Sequence, residues 1–236
     1  VNAIAGGLSA AAAAAAVAAV GVFDPRSPLF GKAIARGPRD ARAVYLTFDD
    51  GPSPSATPRI LETLDQAGVP AAFFMVGEHV RRFPALARAA RDRGHEIGNH
   101  TQRHRKLYYR APRFIDQELR QAHESIVDTV GVTPRCFRAP HGLRSPFVHA
   151  AARRMGYDVI AWSFGVWDTE RPGAPEIRRR VRDRLRPGAI VLLHDGDGRD
   201  PDGDRSQTAE ALPGIIADAR NAGYDLRPLA ELLTSR

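Results

Sequence analysis

From Ala43 to the end of the chain, short apolar runs alternate with longer segments of helical spacing. The runs lie at Ala43–Phe48, Ala72–Val76, Glu96–Gly98, Arg135–Arg138, Asp158–Ser163, Ala189–His194 and Tyr224–Leu226, and they predict strands. Between them, apolar residues recur every three or four positions over Arg59–Ala67, Glu78–Arg93, Arg113–Val130, Phe147–Met155, Pro175–Leu185 and Thr208–Ala222. In the first of these, Ile60, Leu61 and Leu64 share a face and Gly68 stops the helix. The stops repeat in kind: "AGVP", "RGHE", "VGVTP", "MGYD", "RPGA" and "AGYD". A helix that ends at glycine and leads into a strand is the grammar of βα units on a parallel sheet. Seven such strands, with no Gly-rich dinucleotide loop after the first, predict an α/β fold. The expected form is one (β/α) barrel, TIM-barrel-like and closed or nearly closed, rather than an open Rossmann sheet.

Composition changes this picture little. A chain of 236 residues with 43% hydrophobic and 26% charged residues is that of a globular protein able to bury one core. The net charge of +7 would suit an anionic partner, but Lys32 and Lys106 are the only lysines and the arginines are interleaved with acids. They read as solvated helix faces. No aromatic-rich basic motif of the kind that stacks bases is present, so nucleic acid is not an expected partner. Cys136 is the sole cysteine, which excludes an internal disulfide and a cysteine metal cluster.

The N-terminal stretch differs from the rest. Residues 1–23 carry no charged side chain and are rich in alanine, whereas Arg26 and Lys32 follow. About 20 apolar residues suffice to span a bilayer as a helix. A membrane anchor or signal segment is the expectation here, and with it a place in the cell envelope, anchored or secreted. Residues 24–41, rich in Pro, Gly and Arg, read as a linker, and 42–236 as a single catalytic domain.

The first predicted strand ends abruptly in two carboxylates. In "YLTFDDGPS" an apolar run stops at Asp49 and Asp50, and Gly51-Pro52 then turn the chain. Turn chemistry alone accounts for an Asp-Gly pair. The other reactive side chains give it more meaning. His100 and His104, in "GNHTQRH", follow the third strand, and Arg138, in "FRAPHG", ends the fourth. Asp168, in "WSFGVWDTE", follows the fifth, and His194, in "IVLLHDG", ends the sixth. In a parallel barrel the strand C-termini open on one face, where active sites sit. Two imidazoles with three residues between them can meet one metal ion, and a carboxylate completes a three-ligand site with an open position. A cation at one aspartate would relieve the repulsion between the pair while the other acts as base. Metal, carboxylate base, distant histidine acid and arginine together describe metal-assisted hydrolysis.

These same residues carry a resemblance to a known family. "TFDDGPS", "HTQRH", "RAPHG", "WDTE" preceded by "WSFG", and "IVLLHDG" resemble, in order, the five motifs of the polysaccharide deacetylases, from about residue 42 to 233. The resemblance implies a distorted seven-stranded (β/α) barrel. It also implies removal of N-acetyl groups from N-acetylhexosamine units of a polysaccharide such as peptidoglycan, chitin or poly-N-acetylglucosamine. By position, Asp50, His100 and His104 would hold one divalent metal, zinc first and cobalt or nickel after it. Asp49 would be the general base, oriented by Arg138, and His194 the general acid, tuned by Asp168. The backbone N–H of His141 would serve the oxyanion, Leu192 would line the acetyl pocket, and Trp167 would contact sugar. Two positions depart from the family pattern. His141 stands where an aromatic residue is usual, and Thr169 rather than Trp follows Asp168, so that Trp167 or Trp162 would supply the aromatic surface.

The remaining histidines, His79, His95, His123 and His149, have no partner in the sequence and are assigned no role. The aspartate-rich loop "DGDGRDPDGDRSQT" fails the calcium-loop pattern, because Arg205 occupies the required glycine position and no Glu closes it. Two other functions fit the same residues: hydrolysis of a formyl group or of a cyclic ureide or imide, and glycan binding without catalysis.

Overall fold

The computed structural model describes residues 15–234. Its centre is a curled, all-parallel sheet with helices packed outside it. The strands are β1 (Ala43–Asp49), β2 (Ala72–Met75), β3 (Glu96–Asn99), β4 (Cys136–Phe137), β5 (Asp158–Val159), β6 (Phe164–Gly165), β7 (Ala189–His194) and β8 (Asp225–Leu226). Their order is β5-β4-β3-β2-β1-β7-β6. The short β8 pairs with Ala43 and Val44 at the start of β1, before β2 joins that edge at Thr47. The helices are α1 (Thr57–Ala67), α2 (Gly77–Arg82), α3 (Pro84–Asp92), α4 (Pro112–Val130), α5 (Pro146–Arg154), α6 (Ala174–Arg182) and α7 (Ser206–Asn221).

Side-chain alternation on the strands decides what faces the site. Val44, Leu46 and Phe48 point outward into the main core, with Ala189, Val191 and Leu193 of β7. Ala43 and Tyr45 point inward, packed with Phe74, Cys136 and Ile190. Continuing that period of two puts Thr47 and Asp49, and on β7 Leu192 and His194, on the inner face. Register then aligns them, because Asp49 pairs with His194 across β1 and β7. Burial pushes the Cys136 thiol well above its ordinary range, so it is a core side chain rather than a nucleophile.

Three expectations are revised. The helix expected over 78–93 is two helices, because Pro84 bars Phe83 from helical geometry, and Phe83 sits at φ −124° and ψ 59°. The strand expected over 158–163 is shorter, and a further strand follows it: only Asp158–Val159 pairs with β4, and Phe164–Gly165, just past the expected end, pairs with β7. The chain between them crosses from one sheet edge to the other and cannot pair with both.

Third, the stretch expected as a linker fills that seam. Ile34 N–H donates to the Val159 carbonyl, and the Ala161 N–H donates back to Ile34. Arg36 bridges to Ala189, and the Arg144 guanidinium donates to the carbonyls of Ser27 and Gly31. Open edges carry backbone groups that need partners, and residues 27–37 supply them.

Residues 15–23 are helical, and among the described residues no helix is long and apolar enough to cross a membrane. The greater part of the segment expected as an anchor, residues 1–14, lies outside the described residues.

Candidate active site and metal centre

The inner face of the barrel opens at the strand C-termini into a pocket of about 590 Å³. Asp49, Asp50, His100, His104, His141, Leu192, Trp167 and His194 all line it, as do Trp162 and Thr169. Arg138 and Asp168 lie one layer deeper, 0% and 1% exposed.

Asp50 leaves β1 at a φ of 75°, a left-handed turn that swings its carboxylate toward the loop after β3. Its Oδ1 lies 3.2 Å from His100 Nε2 and 3.0 Å from His104 Nε2. Gly51 follows because no side chain fits: a Cβ there would stand 2.1 Å from the Asp195 carboxylate. His100 donates from Nδ1 to the Arg138 carbonyl at 2.8 Å, so neutral His100 turns the lone pair of Nε2 toward Asp50. Asp50 Oδ1 is buried and has no hydrogen-bond donor among the described residues. Three buried acceptors within 4.8 Å of one another could hold a divalent cation. Electrostatics agree. Burial alone would raise the Asp50 carboxyl, but His104 and His100 hold it well below the usual range. Burial would likewise lower His100, yet Asp49 and Asp50 raise it, which marks a pocket that favours positive charge.

Asp49 is held from behind. Arg138 Nη1 donates to Asp49 Oδ1 at 2.6 Å and to Thr47 Oγ1 at 2.8 Å, while Nη2 donates to the Ala161 carbonyl at 3.0 Å. A fully buried guanidinium costs several kcal/mol of desolvation. The Asp49 charge offsets it, with the Phe74 ring 4.1 Å from Arg138 Cζ adding about 2 kcal/mol as a desolvated cation–π contact. Asp49 Oδ2 remains free of Arg138 and lies 3.8 Å from His100 Nε2.

On the neighbouring strand β7, His194 Nδ1 donates to Asp168 Oδ1 at 2.8 Å, which leaves Nε2 as the nitrogen not engaged by Asp168. The His194 backbone N–H and the Thr208 hydroxyl both donate to Asp168 Oδ2, at 2.8 and 2.9 Å. Burial opposes the charged form of His194, but the Asp168 carboxylate prevails and raises it to about 9. Asp168 is lowered by the same partner in spite of its burial. A raised histidine stabilises the fold fully below its unfolded value of 6.5 and loses that contribution as pH rises through about 9. A lowered carboxylate stabilises above 3.8 and loses that only on acidification. The melting temperature of the metal-free protein is therefore expected to fall between pH 7 and pH 10. Asp168→Asn, which lacks the pair throughout, should show a smaller fall over the same interval.

His141 adopts a φ of 58°, and its ring packs on His104 with centroids 4.7 Å apart. Trp167, at a φ of 56°, is 66% exposed at the rim. Three supporting residues escaped the sequence reading. His79 Nδ1 lies 2.9 Å from the Asp50 carbonyl, Thr208 braces Asp168, and Thr47 Oγ1 donates to the Val191 carbonyl while accepting from Arg138. Only Thr47 left a readable trace, as a hydroxyl two positions before Asp49 on the inward face.

Comparison with known proteins agrees with the motifs. The sequence profile described as "Polysaccharide deacetylase" matches residues 36–160. A chitooligosaccharide deacetylase of Bradyrhizobium sp. (strain ANU 289) is 38% identical over 218 residues, covering 87% of this chain and 97% of its own. A peptidoglycan-N-acetylglucosamine deacetylase of Bacillus cereus is 35% identical, covering 83% of this chain and 90% of its own. Among solved structures, a CE4 family pseudoenzyme from Bacillus anthracis superposes with a TM-score of 0.79 at 29% identity, over 88% of this chain and 70% of its own. By its five ordered motifs, its curled parallel sheet and these relatives, the chain belongs to the polysaccharide deacetylase family, hydrolases acting on N-acetyl groups of polysaccharides.

Proposed function

We propose that this chain is a metal-dependent deacetylase that hydrolyses the acetamido group of N-acetylhexosamine units in a glycan polymer and releases acetate. The observation that carries the reading is the buried Asp50–His100–His104 acceptor set, flanked by a carboxylate on one strand and a cationic histidine on the next. Bound by Asp50, His100 and His104, a divalent cation, zinc first, supplies Lewis acidity toward the carbonyl oxygen and makes water a stronger acid.

The chain's own groups do the rest. Asp49 takes a proton from the attacking water through the oxygen that Arg138 leaves free. Arg138 fixes the orientation of that base. Water oxygen bonds to the acetamide carbon, and the backbone N–H of His141 donates to the oxygen that becomes negative. His194 then gives its Nε2 proton to the sugar nitrogen as the C–N bond breaks, and Asp168 stabilises the imidazolium until that moment. The products are acetate and the free amine. Leu192 walls the space for the acetyl methyl, and Trp167 offers an exposed face to a sugar ring.

The test is acetate release from N-acetylglucosamine oligomers by metal-stripped protein, with and without added zinc. Zinc-dependent acetate is the expected result. No acetate from these oligomers or from peptidoglycan, by protein that demonstrably binds zinc, would overturn the reading in favour of another amide or of glycan binding without turnover.

A further inference from the structure

We infer that the pocket selects glycans that carry an anionic substituent, a carboxylate or a phosphate, on or next to the unit being deacetylated, and that Lys106 and Arg199 are the residues that read it. The inference rests on the deacetylase reading above and names the class of polymer it acts on.

Most charges that line the pocket already have partners. Asp49 is paired with Arg138, Asp50 faces two imidazoles, and Asp197 receives Arg205 Nη2 at 2.7 Å. Lys106 and Arg199 are the exceptions. Both are exposed, both line the pocket, and neither side chain has a hydrogen bond or ion pair among the described residues.

Their setting is fixed rather than incidental. Lys106 stands two positions after His104 on the loop that follows β3. Arg199 lies on the loop after β7, which presses so closely on that loop that a Cβ at Gly198 would stand 2.2 Å from the His104 ring. The second loop is pinned at its base. Asp197 Oδ1 accepts from the backbone N–H groups of Arg199 and Asp200 at 3.0 and 3.2 Å, and Arg205 Nε donates to the Gly196 carbonyl at 3.0 Å. Asp200, the acid beside Arg199, turns its Oδ1 to the Asp202 N–H at 3.1 Å. Two cations without partners among the described residues therefore line one pocket from neighbouring loops. A guanidinium fork and an ammonium together suit a carboxylate or a phosphate, and neither finds such a group on a neutral chitooligosaccharide.

The discriminating probe changes charge and little else. Acetate release is measured from a peptide-free peptidoglycan tetrasaccharide with free lactyl carboxylates and from its methyl ester. A second pair compares N-acetylchitotetraose with and without a 6-O-phosphate. Exposed pairs of this kind give an advantage in kcat/KM of roughly two- to tenfold, and one that shrinks as salt is raised. The Lys106→Ala/Arg199→Ala double variant should bring the ratio within each pair to about one. An advantage confined to one pair identifies which anion is read. Equal rates within both pairs for the wild type, or an advantage that survives in the double variant, would overturn the inference and leave deacetylation standing. Absence of acetate from all four probes would overturn both.

Discussion

Asp49→Asn is expected to keep its zinc and lose roughly 10²- to 10⁴-fold in kcat, the span of a lost general base. The replacement is nearly isosteric, and asparagine Oδ1 can still accept from Arg138, as Asp49 Oδ1 does at 2.6 Å. What disappears is the basic oxygen on the side Arg138 leaves free. The variant also leaves the Arg138 charge buried without a counter-charge, which costs about 3–5 kcal/mol. Turnover is therefore compared at a temperature where both proteins are folded, with bound zinc measured on the same samples. Near-normal turnover in Asp49→Asn would move the base to another group. Loss of zinc together with turnover would show that both aspartates are ligands.

His100→Ala has the larger expected effect, because it removes the metal itself. The wild type should bind one zinc per chain through Asp50, His100 and His104, and the variant should bind far less than one after dialysis. A readout independent of activity comes from stability. Free metal at 1,000 times its dissociation constant stabilises the folded state by about 4.1 kcal/mol. For a domain of this size each kcal/mol raises the melting temperature by about 2–4 °C. The wild type should gain that increment on adding zinc and His100→Ala should not. A stoichiometric, stabilising zinc in the variant would mean that the ligand set is wrong.

The residues in the pocket were legible in the sequence because strand ends are chemically abrupt. Asp49 and His194 each close an apolar run, and a parallel barrel opens every such end on one face. Period-two alternation then determined that Asp49 and His194 face inward, a fact as readable as the strands themselves. What could not be read belongs to tertiary contact. Nothing in the sequence pairs Thr208 with Asp168 across 40 residues, or His79 with the Asp50 carbonyl across 29. The early end of the Asp158–Ser163 strand and the separate strand at Phe164–Gly165 were hidden for the same reason. Residues 158–165 read as β-forming throughout, and only closure of the sheet puts Asp158–Val159 and Phe164–Gly165 at opposite edges. Pro84 was different in kind. The helix break it imposes was present in the local sequence, and helical spacing on both sides of it masked the break.

The seam filled by residues 27–37 changes where this domain begins. The family profile starts at residue 36 and the motifs at 47, yet Ile34 and Gly37 supply the hydrogen bonds that join the sheet's two edges. A chain trimmed to the motifs would keep every reactive side chain and lose the clasp that makes a curled sheet into a barrel. Val159, Ala161 and Gly188 would then offer bare backbone to any passing extended segment, the usual start of edge-to-edge association. The residues that line the pocket and the residues that close the sheet thus occupy different parts of the chain.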